Sequence, residues 1–265
     1  MYAFNYHRPG SVADATSAIK SAEDGKFLAG GMTLIPTLKQ RLANPSDLID
    51  LANIGDLKGI TDDGKTITIG ATTTHAEVAG SETVKAKIPA LAHLAECIGD
   101  PQVRNCGTIG GSVANNDPAA DYPAGCLALA ATIVTDRREI GADDFFKGLF
   151  ETALEDGELI TAVRFPVPER AAYQKFENPA SRYAIVGVMV ARTDGGVRVA
   201  VTGASQDGAF RSSALEDALA SNWSADAAAG VSVSADGLNS DIHASAEYRA
   251  HLVTVMAKRA VAAAG

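Results

Sequence analysis

The sequence predicts an α+β protein in two parts, a larger mixed part over residues 1–168 and a smaller sheet-and-helix part over 169–265. Three observations carry this. In the first part, short apolar runs of strand character alternate with segments whose apolar residues recur at helical spacing. Pro166-Val167-Pro168 is the sharpest break in the chain. Beyond it, Tyr173-Gln174-Lys175-Phe176, Ala184 to Arg192 and Val197 to Thr202 read as three consecutive strands, with helices after them.

Taken in order, Ser11 caps a helix on which Val12, Ala15, Ile19 and Ala22 share a face, with Gly25 as its stop. Lys26-Phe27-Leu28-Ala29 suits a buried strand. Past Gly30-Gly31, Leu34, Ile35, Leu38 and Leu42 recur at helical spacing. Thr33 caps that helix, and Pro36 lies in its first turn, where a missing N–H breaks no bond. Asn44-Pro45-Ser46 is a break, Leu48 to Leu51 a strand, Asp62-Asp63-Gly64 a turn and Thr66 to Ile69 an alternating strand. Thr74-His75-Ala76-Glu77 reads as a capping box, which makes His75 an exposed first-turn residue without a catalytic role. Pro89 to Ile98 forms a helix with Leu91, Leu94 and Ile98 on one side, ended by Gly99-Asp100-Pro101.

Val103-Arg104-Asn105-Cys106 leads into a second glycine turn, Gly107-Thr108-Ile109-Gly110-Gly111-Ser112. Val113 to Pro123 is polar and proline-broken, and an irregular segment of that length is expected to line something. An apolar run from Leu127 to Val134 and a strand from Glu158 to Phe165 complete the larger part. In the smaller part Asp194-Gly195-Gly196 joins the second and third strands, and helices are expected over roughly Ser212 to Ala220 and His243 to Ala264.

A formal net charge of -9 argues against a nucleic-acid or anionic-membrane partner. It also means that an anionic ligand must be held by local groups, because the overall field is screened beyond roughly 8 Å. Cys97, Cys106 and Cys126 form no C-x-x-C pair, cannot build an iron–sulfur site and suit a reducing compartment. With no signal-like start and no apolar run of membrane length, a cytoplasmic protein is expected.

Gly-x-Gly-x-x-Gly, Gly-x-x-x-x-Gly-Lys and a serine nucleophile elbow are all absent, and the histidines are dispersed. No catalytic and no metal-ligating set is predicted. What remains is two glycine segments at sharp turns, each offering unshielded backbone N–H groups suited to a phosphate. The first also opens a helix, whose dipole favours an anion. Asp121, with Asp117 as its rival, could accept from a ribose hydroxyl. A dinucleotide needs both kinds of group and brings its own redox ring. Without a ligand, the same stretches are tight connections, Lys175 a solvated strand lysine and Ile98 a core residue.

Ala29-Gly30-Gly31-Met32-Thr33-Leu34-Ile35-Pro36 and Arg104-Asn105-x-Gly107-Thr108-Ile109-Gly110-Gly111-Ser112, running on to Asp117-Pro118-Ala119-Ala120-Asp121-x-Pro123, resemble the FAD-binding medium subunit of molybdenum hydroxylases. This is the aerobic carbon monoxide dehydrogenase type, equivalent to the flavin domain of xanthine dehydrogenase. The resemblance extends through Tyr173 to Phe176 and Arg182-Tyr183-Ala184, and is loose only over the C-terminal end. It implies a two-part FAD-binding domain of the vanillyl-alcohol-oxidase-like type, with lobes over roughly 1–55 and 56–168, and then a small three- to four-stranded sheet with helices.

By position, the resemblance implies that Phe27, Leu28, Ala29, Gly30, Gly31, Met32, Thr33 and Leu34 wrap the FAD diphosphate. Thr108, Gly110, Gly111 and Ser112 then meet it from the other side. Asp121 accepts from the adenosine ribose, Ile160 lies beside the adenine, Ile98 faces the flavin ring and Lys175 lies near it. Asn115 and Asn116 either hydrogen-bond to FAD or only stabilise the loop, with contact favoured because matched positions bracket the segment. Met32 departs from the polar residue common in the family, and Ser112 from its Asn.

The function implied is electron transfer. A large molybdopterin subunit hydroxylates the substrate, and electrons pass through [2Fe–2S] clusters on a small subunit to FAD on this chain. An external acceptor, a quinone or NAD, then receives them. The chain holds neither a cluster-binding cysteine array nor a molybdopterin segment, so it is expected to work only in a heterotrimer. Two rivals make distinct expectations: a free-standing FAD-dependent reductase or oxidase turns over alone, and a cofactor-free interaction domain is colourless.

Overall fold

The computed structural model describes residues 1–265. The chain opens with β1 (Asn5–His7), α1 (Val12–Ser21), β2 (Gly25–Leu28), α2 (Leu34–Lys39) and β3 (Asp47–Asp50), whose strands form a parallel sheet in the order β1-β3-β2. His7 and Phe27 both pair with Ile49, and the central β3 is buried along its length, as a parallel strand with neighbours on both sides should be. Ser11 caps α1 as expected, accepting from the Asp14 N–H at 3.1 Å.

Two expectations here are corrected. Gly25 begins β2 rather than stopping α1, whose C-cap is Ala22; glycine is required there by packing, since a Cβ would stand 2.7 Å from Ile19 Cδ1 and 2.9 Å from Ala22 Cβ. Helix α2 ends at Lys39, so the apolar stripe stops at Leu38 and Leu42 is 74% exposed.

The middle of the chain supplies β4 (Ile60–Asp62), β5 (Thr66–Gly70), α3 (His75–Gly80), α4 (Glu82–Lys87), α5 (Pro89–Glu96), α6 (Pro101–Cys106), α7 (Ile109–Asn115) and α8 (Asp121–Ala128). It continues through β6 (Thr132–Thr135), β7 (Glu139–Gly141), α9 (Ala142–Phe145), β8 (Phe146–Gly148), β9 (Glu151–Thr152) and β10 (Ile160–Pro166). An antiparallel sheet in the order β4-β5-β10-β6-β7 carries the helices, with Val163 at its centre paired to Ile69 and Ile133, all fully buried.

The region around the second glycine segment differs most from expectation. Val103 to Cys106 lies in α6, and Gly110-Gly111 falls in the first turn of α7 rather than in a turn. The supposedly irregular Val113–Pro123 segment is mostly helical, leaving only residues 116–120 between α7 and α8. Asn116 ends α7 in a left-handed conformation, and Asp117 accepts from the Ala119 N–H at 2.8 Å. Helices of two turns built from glycine, alanine and asparagine bury too few large side chains to show an apolar period.

The last part holds β11 (Arg170–Glu177), β12 (Ala184–Thr193), β13 (Gly196–Thr202), β14 (Phe210–Arg211), α10 (Ser213–Ser221), α11 (Ala225–Ala229) and α12 (Ala246–Ala264), with its antiparallel sheet in the order β11-β12-β13-β14. Alternate residues of β12 serve different cores. Val186, Val188 and Val190 join the core under α12, whereas Met189 and Ala191 join the core of the middle part, as the two-residue period of a strand dictates. The same alternation turns Tyr173 of β11 toward α8. No helix is long and apolar enough to cross a membrane.

Candidate functional site

Strand β2 ends at Leu28 and the chain turns through Gly30 and Gly31 before α2 begins. Gly31 has φ +70°, a conformation in which a Cβ is strained. A Cβ on Gly30 would collide with the carbonyl of Cys106, so the turn lies directly against the end of α6. The backbone N–H groups of Gly30, Gly31, Met32 and Thr33 donate to no acceptor in the chain. Thr33 sits in αR geometry and makes no side-chain cap, contrary to expectation, because capping requires an extended residue there. The result is a run of unspent donors facing one space.

The second segment is built differently. Ile109 donates to the Thr73 carbonyl at 3.1 Å, Gly110 to the Ala71 carbonyl at 2.9 Å and Ser112 to the Thr108 carbonyl at 3.0 Å. Gly111 donates to the Thr108 hydroxyl at 3.2 Å, the N-cap of α7. The expectation of free amides is therefore overturned from Ile109 to Ser112, and only the Thr108 N–H is left without a partner in the chain. Gly110 is glycine because a Cβ would stand 2.6 Å from Ala71 Cβ and 2.7 Å from its carbonyl oxygen. Packing, not donor supply, sets this residue.

Between the two segments lies a cavity of about 690 Å³, within the range of cofactor sites. Phe27, Leu28, Ala29, Gly30, Gly31, Met32, Thr33 and Leu34 line it, as do Ile98, Thr108, Gly110, Gly111, Ser112, Asn115, Asp121 and Ile160. Asn116 does not. Its amide donates to the carbonyls of Gly148 and Glu151 at 2.9 and 2.8 Å, pinning the β8–β9 hairpin.

Lys175 lies behind the cavity wall. Its side chain is 3% exposed, donates to the Cys97 carbonyl at 2.9 Å and stands 3.0 Å from the Asp121 carboxylate. It is thus neither a solvated strand lysine nor a residue of the lining. Asp121 also accepts from the Tyr173 hydroxyl. Burial holds the Asp121 carboxyl above its ordinary range, and the Lys175 ammonium and the Tyr173 hydroxyl offset only part of that rise. The Asp117 carboxylate, also on the lining, is raised by burial.

Among the lining residues that the sequence did not mark as site residues are His75, Arg182 and Tyr183. His75 starts α3 in the expected capping box, yet it is 5% exposed and stacks on Tyr122 with ring centroids 5.4 Å apart. Its side chain makes no hydrogen bond, and burial, helped by the charge of Arg104, draws its pKa down to about 4. Arg182 and Tyr183 reach the cavity from the last part of the chain on a loop organised by Asn178, whose N–H donates to the Tyr183 carbonyl at 2.8 Å. A capping box locates a helix start without saying what covers it, so His75 carried no usable signal. Tyr183 did, as a large aromatic in a turn.

Comparison with known proteins fits this geometry. Residues 2–168 match the family model described as the FAD binding domain in molybdopterin dehydrogenase. The chain is 38% identical to the carbon monoxide dehydrogenase medium chain of Afipia carboxidovorans, over 97% of this chain and 95% of that one. It is 35% identical to the nicotine 6-hydroxylase medium subunit of Paenarthrobacter nicotinovorans, over 99% and 98%. Reconstituted CO dehydrogenase from Oligotropha carboxidovorans superposes with a TM-score of 0.91 at 36% identity, covering 99% of this chain and 97% of that one. A row of free main-chain donors beside an apolar-walled cavity, in a fold shared at full length with such subunits, leads to one assignment: the chain belongs to the family of FAD-binding medium subunits of molybdenum hydroxylases, the carbon monoxide dehydrogenase and xanthine dehydrogenase type.

Proposed function

We propose that the cavity holds FAD with its diphosphate on the N–H groups of Gly30, Gly31, Met32 and Thr33, and that the chain is the electron-transfer module of a heteromeric hydroxylase. The observation that carries the reading is that row of donors without a partner in the chain, which a diphosphate can take from water at the edge of the cavity. The net charge of -9 makes this local arrangement necessary, since the overall field opposes an anion.

FAD bound there supplies the redox ring. The chain's own residues bind, orient and shield it. Thr108 and Ser112 face the diphosphate from α7, with Gly110 and Gly111 allowing the close approach, and Asn115 lies further along that wall. Ile98 and Tyr183 are placed to flank the ring, and Ile160 borders the adenine end. Asp121, ion-paired to Lys175, keeps a carboxylate at the wall for a ribose hydroxyl.

In this reading residues 1–55 and 56–168 form the two lobes of the FAD domain and 169–265 close its open side. A large molybdopterin subunit oxidises the substrate, a small [2Fe–2S] subunit delivers electrons to FAD, and a quinone or NAD outside the complex accepts them. The setting is cytoplasmic. Co-expression with the adjoining subunits and purification of the native complex tests this. Flavin released by denaturation should be FAD in amounts equal to this chain, and native mass analysis should show two further chains. A complex carrying FMN or no flavin overturns the binding assignment, and a chain that purifies alone and oxidises NAD(P)H or an alcohol overturns the electron-transfer assignment.

A further inference from the structure

The C-terminus of α5 leaves carbonyls that no helical N–H can reach, and in most proteins water takes them. Here the carbonyl of its C-cap, Cys97, and the next two past the helix, those of Ile98 and Gly99, are all taken by cationic side chains. Lys175, from β11, donates to the Cys97 carbonyl at 2.9 Å. Arg104, from α6, folds back so that one guanidinium nitrogen, Nη1, donates to the Ile98 carbonyl at 3.0 Å and the Gly99 carbonyl at 2.8 Å. The Ile98 N–H is spent on the Ala95 carbonyl. The bend is fixed from below as well, because Gly99 has φ +52° and a Cβ there would stand 2.9 Å from Val103. The N–H and the carbonyl of Ile98 are therefore both held, and the residue lies on the cavity lining and against the buried core.

We infer that Arg104 and Lys175 are positioning residues that set where Ile98 presses on the flavin ring, and so tune the flavin's environment without touching it. The inference rests on the FAD reading. A charge-assisted bond is roughly twice as strong as a neutral one, and at a helix C-terminus the cation also meets the negative end of the dipole. Ordinary capping of α5 needs one such group. Two cations converging on consecutive carbonyls, one of them from a strand 78 positions along the chain, fix the position of a single residue. The apolar enclosure of a redox ring is one of the few handles a protein has on its potential.

The test is a double-mutant cycle in the purified complex, read by the visible circular dichroism of the bound flavin and by its midpoint potential. Ile98→Ala should shift both. Arg104→Met should shift them in the same direction, Arg104→Lys by less, and Lys175→Met in the same direction as Arg104→Met. In the Ile98→Ala background, Arg104→Met and Arg104→Lys should add nothing, because they act through Ile98. Additive shifts, or flavin signals unmoved by the Arg104 variants while FAD stays bound, overturn the inference. If Arg104→Met prevents assembly, the cycle with Arg104→Lys decides. A wild-type complex without FAD sinks the functional reading instead, so the two failures are told apart.

Discussion

The Gly30–Thr33 turn and the Thr108–Ser112 segment have almost the same composition and opposite physics. In the first, glycine is demanded by the sign of φ at Gly31 and by closeness to the Cys106 carbonyl at Gly30, and the amides from Gly30 to Thr33 are unspent. In the second, glycine is demanded by volume at Gly110, and the amides are consumed by Ala71, Thr73 and Thr108. The two meet where Gly30 lies against the Cys106 carbonyl. Glycine-rich segments thus answer two needs, a conformation that frees donors and a closeness that builds a wall. Only the first leaves a run of main-chain donors for an anion to bind.

That contrast breaks most visibly at Gly110. Gly110→Val drives a branched side chain into the Ala71 backbone, and the apo chain should lose more than about 3 kcal/mol in urea unfolding, beyond the usual range of overpacking. Flavin loss should follow unfolding rather than precede it. A Gly110→Val chain that melts like wild type yet carries no FAD would place the second segment among the donors and erase the distinction.

His75 belongs to the second region, since a Cβ on Gly107 would stand 2.6 Å from its Nε2. Its depressed pKa, about 4 in the folded chain, means that the unfolded chain binds the extra proton first. Stability should therefore be flat above about pH 6.5 and fall as pH drops toward 4, by up to about 3 kcal/mol from this group. The difference between wild type and His75→Phe in urea titrations across that range isolates the effect. Equal slopes would mean that His75 is solvated, and that the wall is looser than its packing indicates.

Gly31→Ala probes the first region. Left-handed geometry costs an L-residue about 1–2 kcal/mol, and the chain should fold with at least that loss, since the added Cβ would also stand 2.8 Å from Cγ1 of the β-branched Ile35. FAD affinity should fall by at least about tenfold, since relaxing φ turns the Met32 and Thr33 amides away. Unchanged affinity, measured by flavin titration of the deflavinated complex, would show that the amide row is not the diphosphate site.

The elements with a strong period were legible from the sequence alone: α1, β2, β5, α5 and the strands β11 to β13 stand where spacing places them. The gathering of cradle residues, Ile98, Asp121 and Ile160 around one cavity was legible only through the resemblance, because spacing says nothing about which loops meet. Short helices such as α6 and α7 were illegible, since Asn105, Gly110 and Gly111 carry no apolar stripe. Lys175 shows the remaining limit. A lysine on a strand reads as solvated, and only the fold reveals that Asp121 and the Cys97 carbonyl compensate its burial.

The smallest effect sharpens the contrast furthest. Thr108 is 6% exposed and its hydroxyl caps α7 by accepting the Gly111 N–H. Thr108→Ala should cost about 1 kcal/mol of stability, and Thr108→Ser much less, because serine restores the cap. The same change frees the Gly111 amide at the cavity wall, making the second segment momentarily resemble the first. If donors at the first turn carry the diphosphate, FAD affinity should change by less than about fivefold, equivalent to 1 kcal/mol. A larger loss than Gly31→Ala produces would reverse the ranking, because it would mean that the Thr108 hydroxyl, and not the turn at Gly31, supplies the dominant contact.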